Sequence, residues 1–327
     1  MAASPYPSKR HAFGKVLQGK DDWLFVHRDT NLGMAQQTGD LMFNRNQLTQ
    51  WRLVLETRQA WLERKGIHYF LLMPPSTAAV YPEFLPDEFE PADRRPVHQL
   101  LDHLDAAGLT VPRLYPEAEI RALKDLAPHH APFFRNESHW TDAAAFRAYE
   151  LVLDRLPPEV PVRRLRPADM NVLSHPVIGD LGRQVDPPLE DIHHFMYVRE
   201  PRARLVEDNR VYNRGRVIEY ECDDAPGTCV MQTDSSGYWM APFMAETFGR
   251  FVFVHRFTMD FELLEAEQPD LFLNVHTERA MIRVPSDQPF EPTRALVRRK
   301  RKSGDVLAPR EPALRPDMWP PLNYSPD

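Results

Sequence analysis

Two short segments of the 327-residue chain carry the side chains that acyl transfer or hydrolysis requires. The first is Thr233-Asp234-Ser235-Ser236-Gly237, between the apolar run Thr228 to Gln232 and an amphipathic stretch from Ser236 to Phe248. A strand followed by a helix puts such a turn at the carboxyl edge of a parallel sheet, where α/β proteins bind ligands. A serine there lies beside the unpaired N–H groups that open the helix, and those donors can hold a developing oxyanion. The same residue types also cap helices, and on this turn alone a capping role is the favoured reading. A serine nucleophile needs a base, and the base needs an orienting acceptor. Glu137-Ser138-His139-Trp140 offers both. In an extended stretch, residues two apart point the same way, so Glu137 and His139 are expected on one face with the carboxylate fixing the imidazole tautomer.

A wider set of candidates surrounds these. The Ser235 N–H is the first oxyanion donor, and Asn274, near the end of a late apolar run, is a second. Asp234 adjoins the serine. Tyr238 and Trp239 follow it by one helical turn and are placed to line an acceptor cleft, with Arg183 facing the same cleft. Trp140 is expected to pack under His139 and fix its ring. His276 and Arg279 read as structural. His129-His130 and His193-His194 have no matching carboxylate or cysteine pattern, so no metal is expected at them.

The elements that must position these residues alternate. Trp23 to Val26 reads as a strand, Asn46 to Lys65 as an amphipathic helix stopped by Gly66, and Ile67 to Met73 as a buried strand closed by Pro74-Pro75. Val97 to Ala107 and Glu117 to Ala127 read as helices, with a strand at Leu109 to Leu114 between them. Thr141 is the predicted N-cap of a helix reaching Leu156. Strands at Thr228 to Gln232, Phe251 to His255 and Leu271 to Val275 alternate with helices at Ser236 to Phe248 and Asp260 to Glu267. This alternation predicts an α/β sandwich with a mostly parallel central sheet. Residues 15–285 form the expected catalytic domain, with a weakly patterned peripheral insertion at about 157–215. Residues 286–327 read as a Pro-rich, basic, poorly ordered tail carrying the run Arg298 to Lys302.

Composition bounds the function. Net charge is −7 and hydrophobic residues make up 43%, the balance of a folded chain with no nucleic-acid role as its main task. The 32 prolines are about twice the usual ~5% share, which predicts rigid loops. No secretory signal and no apolar stretch of about 18 residues is visible, so a cytoplasmic location without a membrane span is expected. Cys222 and Cys229 are too few for a disulfide framework and are read as free thiols there, or as a pair in an oxidising compartment.

The two chemical segments together resemble the SGNH-hydrolase-like domain of the alginate O-acetyltransferase type, the family that includes AlgJ and AlgX. Members carry an Asp-x-His-Trp element ahead of a Gly-Asp-Ser element, the reverse of the order in ordinary SGNH esterases. Further stretches fit the same pattern in order: Gly19 to Phe25, Pro74-Pro75-Ser76, Tyr81 to Pro86, Gly179-Asp180-Leu181-Gly182, Pro242 to Phe248, and Glu265 through Arg279. The resemblance implies an SGNH-like three-layer sandwich. It implies Ser235 as acyl-accepting nucleophile, His139 as base and then acid, and Glu137 in the place of the usual aspartate. Thr233 stands where the family usually has glycine.

The expected function is serine-dependent O-acetylation of a carbohydrate or glycosylated small molecule. No cofactor is expected beyond the acyl donor as co-substrate, which an acyl-donor protein could supply. An acetylesterase with the same three residues, and a non-catalytic glycan-binding or assembly module on the same scaffold, are the competing expectations. They differ in whether the cleft excludes water and whether Ser235 is acylated at all.

Overall fold

In a computed structural model, residues 11–12, 15–288 and 291–307 are described. His11–Ala12 (β1) and Val16–Gln18 (β2) come first, and β2 pairs antiparallel with Leu24–Val26 (β3). Helices Gly33–Gln37 (α1) and Arg45–Arg64 (α2) lead to strand His68–Leu72 (β4) and helix Thr77–Val80 (α3). Pro96–Ala106 (α4), Arg113–Leu114 (β5), Glu117–Arg121 (α5) and Asp142–Leu153 (α6) complete the first half. Met170–Ile178 (β6), Val185–Asp186 (β7), Glu190–Val198 (β8) and Arg204–Asp208 (β9) fill the middle. Val217–Glu221 (β10), Thr228–Thr233 (β11), Gly237–Thr247 (α7), Arg250–His255 (β12), Phe261–Glu267 (α8), Leu271–Val275 (β13) and Thr293–Ser303 (α9) follow.

The helices start and stop for local reasons. Asn44 caps α2 through a reciprocal bond pair with Gln47, and α2 turns Leu48, Trp51, Leu55 and Leu62 inward. Thr141 caps α6 by accepting from the Ala144 N–H, and Asp260 caps α8 by accepting from that of Leu263.

Seven strands form the central sheet in the order β5-β4-β13-β11-β12-β10-β9. The first five run parallel, and β10 and β9 extend the edge antiparallel. Both faces are covered, so the inner strands are apolar along their length rather than alternating. On one face Phe70, Cys229, Met231, Phe253 and Leu273 pack with α6 and α7. On the other Leu71, Val230, Val252 and Phe272 pack with α2 and α4. The alternation predicted this largely parallel sheet, and the resemblance implied these three layers.

One stretch of weak pattern is filled with strands, and one expectation about the tail needs correction. The region 157–215, weakly patterned in sequence, holds regular structure: β6 and β8 pair across nine positions, from Met170↔Val198 to Ile178↔Glu190, and β9 joins the sheet edge. Val172, Leu173, Ile178 and Ile192 of that ribbon are exposed, so its apolar residues do not sort to one face and leave no alternation to read. The run Arg298 to Lys302 lies in α9 and not in a loose tail. Thr293 anchors that helix by donating its N–H to Asp260 and accepting from Arg256, while Val297 is buried. The remainder of the expected tail, residues 308–327, lies outside the described residues. Cys222 and Cys229 are free and buried. No helix among the described residues is long and apolar enough to cross a membrane.

Candidate active site

β11 ends at Thr233, and the chain turns through Asp234, Ser235 and Ser236 into α7 at the carboxyl edge of the parallel strands. Asp234 ties this turn together. Its Oδ1 accepts from the Ser236 N–H at 2.9 Å and the Ser236 hydroxyl at 2.5 Å, and its Oδ2 accepts from the Thr277 N–H at 2.8 Å, beyond the end of β13. Burial opposes charge on Asp234, but His276 and these donors outweigh it and hold its carboxyl below the usual range. None of Thr233, Asp234 and Ser235 has positive φ, which explains why the turn tolerates threonine. Glycine is required at Gly237 instead, where a Cβ would come within 2.3 Å of Thr233 Oγ1.

The base comes from a bent loop closed by the bridge Phe133↔Trp140. His139 Nε2 lies 2.9 Å from Ser235 Oγ, and its Nδ1 lies 2.7 Å from Glu137 Oε1. The two partners meet as expected, but not because the segment is extended. Residues 135–139 form turns and bends, and the long Glu137 side chain spans the curve. His139 is 4% exposed and Ser235 9%. Burial, with a smaller contribution from the Arg279 charge, lowers the His139 pKa to about 4 against the raising effects of Asp180 and Asp234. The resting imidazole is therefore neutral, as a proton acceptor must be. Burial also raises the Glu137 carboxyl, against hydrogen bonds from Asp180 and its neighbours.

Several candidates take other places. Trp140 donates its indole N–H to the Ser236 carbonyl at 2.9 Å, pinning the base loop to the nucleophile turn. The ring stacked on His139 is that of Trp239, at 4.4 Å between centroids and 16° between planes. Adjacent residues in the loop leave it in different directions, which is why His139 and Trp140 reach different partners. Asn274 is fully buried and already committed, donating to the Gln232 carbonyl at 3.0 Å and accepting from Arg58. It supplies no free amide to an oxyanion. Tyr238 is buried, its hydroxyl 3.4 Å from His255 Nδ1 and its ring under the Arg216 guanidinium. It packs inside the sheet layer and does not line a cleft. Arg183 is exposed and bonds the Ile178 carbonyl at the base of the ribbon. His193 is buried against Phe134, its Nε2 2.6 Å from Asn136 Oδ1. Arg279 pairs with Asp29 at 3.0 Å and lies near enough to His139 for its charge to act there.

Asp180 belongs to the site and was not among the residues singled out for chemistry. Its Oδ1 accepts from the Ser138 N–H at 2.7 Å, its Oδ2 accepts from the Ser138 hydroxyl, and its own N–H donates to Glu137 Oε2 at 3.1 Å. The signal was present as the Gly-Asp-Leu-Gly turn, but it lies 41 positions after His139, beyond a helix and within a weakly patterned stretch.

Fold and site together place the chain among SGNH-hydrolase-like α/β proteins. Residues 16–194 match the family described as SGNH hydrolase-like domain, acetyltransferase AlgX, and the chain belongs to that family. The match includes Glu137, His139 and Asp180 and stops short of Ser235. A curated relative, the probable alginate O-acetylase AlgJ of Pseudomonas aeruginosa, is 31% identical over 147 residues. That alignment covers 44% of this chain and 33% of the relative, so the chain spans about a third of the length of the curated protein it matches. Among solved structures, Bacillus cereus PatB1 superposes with a TM-score of 0.61 at 12% identity, covering 83% of this chain and 99% of that one. The O-acetyltransferase domain of Pseudomonas putida AlgJ superposes with a TM-score of 0.51 at 17% identity, covering 88% and 99%. These structural likenesses establish the shared fold.

Proposed function

We propose that the chain is a serine-dependent O-acetyltransferase acting on a carbohydrate or glycosylated acceptor, with Ser235 as nucleophile, His139 as base and acid, and Glu137 as the orienting carboxylate. The observation that carries this reading is the continuous line Ser235 Oγ to His139 Nε2 at 2.9 Å and His139 Nδ1 to Glu137 at 2.7 Å. Membership of an acetyltransferase family and the name of the AlgJ relative support acetyl as the group and a polysaccharide-like acceptor.

In the first half-reaction, Ser235 Oγ attacks the acetyl carbonyl of a donor while its proton passes to His139 Nε2. Negative charge develops on the carbonyl oxygen. The Ser235 N–H, for which no acceptor is found among the described residues, is a donor available to it. The intermediate collapses, the donor leaves with the proton from His139, and acetyl-Ser235 remains. In the second half, neutral His139 takes the proton of an acceptor hydroxyl, whose oxygen attacks the acyl carbonyl. Collapse returns the proton to Ser235. Glu137 stabilises the imidazolium in both halves, and Trp239 holds the ring in its plane.

The test is intact-protein mass spectrometry after incubation with an activated acetyl ester. A mass increase of one acetyl group, mapped to Ser235 and absent in Ser235→Ala, is the expected result. Adding acceptor sugars then discharges the adduct onto a hydroxyl. No adduct in the folded wild-type chain would overturn the catalytic reading in favour of a binding module. Discharge to water alone, with every acceptor tried, would make the protein an esterase.

A further inference from the structure

His139 Nδ1 faces two acids. Glu137 Oε1 lies 2.7 Å away and Asp180 Oδ2 3.9 Å away. One oxygen of each carboxyl and a ring nitrogen of His139 fall within 4.8 Å of one another. Asp180 also donates its own N–H to Glu137 Oε2 at 3.1 Å, which holds the two acids side by side. Their side chains are only 14% and 7% exposed, so two full negative charges side by side are strongly disfavoured.

The approach is built into the backbone. A Cβ on Gly179 would sit 2.2 Å from the Asn136 carbonyl oxygen, and one on Gly182 would sit 2.4 Å from that of Leu189. The two glycines let the turn press against Asn136. The Leu181 and Gly182 N–H groups both donate to the Asn136 carbonyl, while the Asn136 amide donates to Val177 and Leu189. Asp180 is delivered by this clamp onto Ser138, with its N–H on Glu137.

We propose that Asp180 is a positioning residue of this site. It forms with Glu137 a carboxyl–carboxylate dyad that shares one proton and holds the His139 ring through Nδ1. The inference rests on the Ser235–His139–Glu137 reading and deepens it. The groups facing the assembly are Glu137, Ser138 and His139 on the base loop, Asp234 on the nucleophile turn and Arg279 beyond β13. Burial and the Glu137 charge push the Asp180 carboxyl up to about 7. Below that pH the dyad carries one negative charge. Above it a second charge develops beside Nδ1, and the imidazole becomes a stronger base.

The experiment uses the full chain labelled with ¹³C at its aspartate carboxyls. One aspartate resonance is expected to titrate near neutral pH, far above the usual ~3.9, with the His139 ring resonances following the same step. In Asp180→Asn both signals disappear. The pH profile of activated acetyl ester hydrolysis loses its near-neutral inflection, and turnover falls further above the position of that inflection than below it. A purely structural role would lower turnover by one factor at every pH. The proposal is overturned when no aspartate carboxyl of the wild type titrates between about pH 6 and 8, or when the step persists in Asp180→Asn. The wild-type titration decides it even if that variant does not fold. An intact titration step in a chain that never acylates Ser235 would sink the catalytic reading and leave the dyad. Acylation without the step would do the opposite.

Discussion

Glu137 is longer by one methylene than the aspartate usual at its position, and the extra length is used. One oxygen reaches His139 and the other accepts the Asp180 N–H. Shortening it to aspartate breaks one of these contacts and leaves a carboxylate near the imidazole. Glu137→Asp is therefore expected to retain at least tenfold more acetyl ester turnover than Glu137→Gln, whose amide favours the wrong imidazole tautomer. The Gln variant should fall by about 10²–10⁴ in kcat. Ser235→Ala and His139→Ala should each lose 10⁴-fold or more while melting normally, because removal of either group ends the same proton path. A kcat for either variant within tenfold of wild type would remove that residue from the chemistry. Trp239→Ala should lower kcat by about tenfold through a looser ring, and Trp239→Phe should recover most of it. The types of the three central residues were legible in the sequence. The partners of Trp140 and Asn274 were not, because one-residue differences in direction decide whether a side chain meets the site or the core.

At the scale of elements, the turn between β11 and α7 is closed by a contact between its two ends. Gly237 must lack a Cβ because the Thr233 side chain occupies the space that it would fill. Gly237→Ala is expected to destabilise the fold by about 2 kcal/mol or more, an overpacking penalty with no room for relaxation. The double variant Thr233→Gly/Gly237→Ala should recover part of that loss, giving a coupling of about 1 kcal/mol in a chemical-denaturation cycle. Additive losses would show that the clash is relieved elsewhere. The inner strands and the capped helices were readable because burial on both faces and local capping leave marks in the sequence. The β6–β8 ribbon left none, since Val172, Leu173, Ile178 and Ile192 are exposed while Met170, Met196 and Val198 are buried, with no alternation between them. Asp180 arrives on that unreadable region, which is why its chemistry escaped a reading by pattern while its glycines did not.

At the scale of the whole molecule, the site is one part of a larger store of buried, uncharged imidazole. Burial lowers His139 and His276 to about 4, and His193 and His255 to about 3. Each is depressed below its unfolded value near 6.5, so on acidification the unfolded chain takes up protons that the native state refuses. Stability is lost as pH falls from about 6.5 toward these values. Asp180 and Glu137 act in the opposite sense, because raised carboxyl pKa values cost stability as pH climbs, but they are two groups against four. The melting temperature is expected to drop by on the order of 10 °C between pH 7 and pH 5, followed by differential scanning calorimetry. A flat profile over that range would mean that these histidines titrate normally.

The order of the strands carries a consequence in time. β4 lies inside the sheet, yet its neighbour β13 is encoded some two hundred residues later, at Leu271↔His68. A ribosome adding about 5–20 residues per second therefore holds β4 with an open edge for ten seconds or more before its partner is made. Within that interval His139 is made long before Ser235, so the nascent chain has no competent site until the β11 turn has been added. The long wait makes the growing chain a natural client for holding factors that cover strand edges. It also means that activity, once present, certifies that synthesis has run through the last parallel strand.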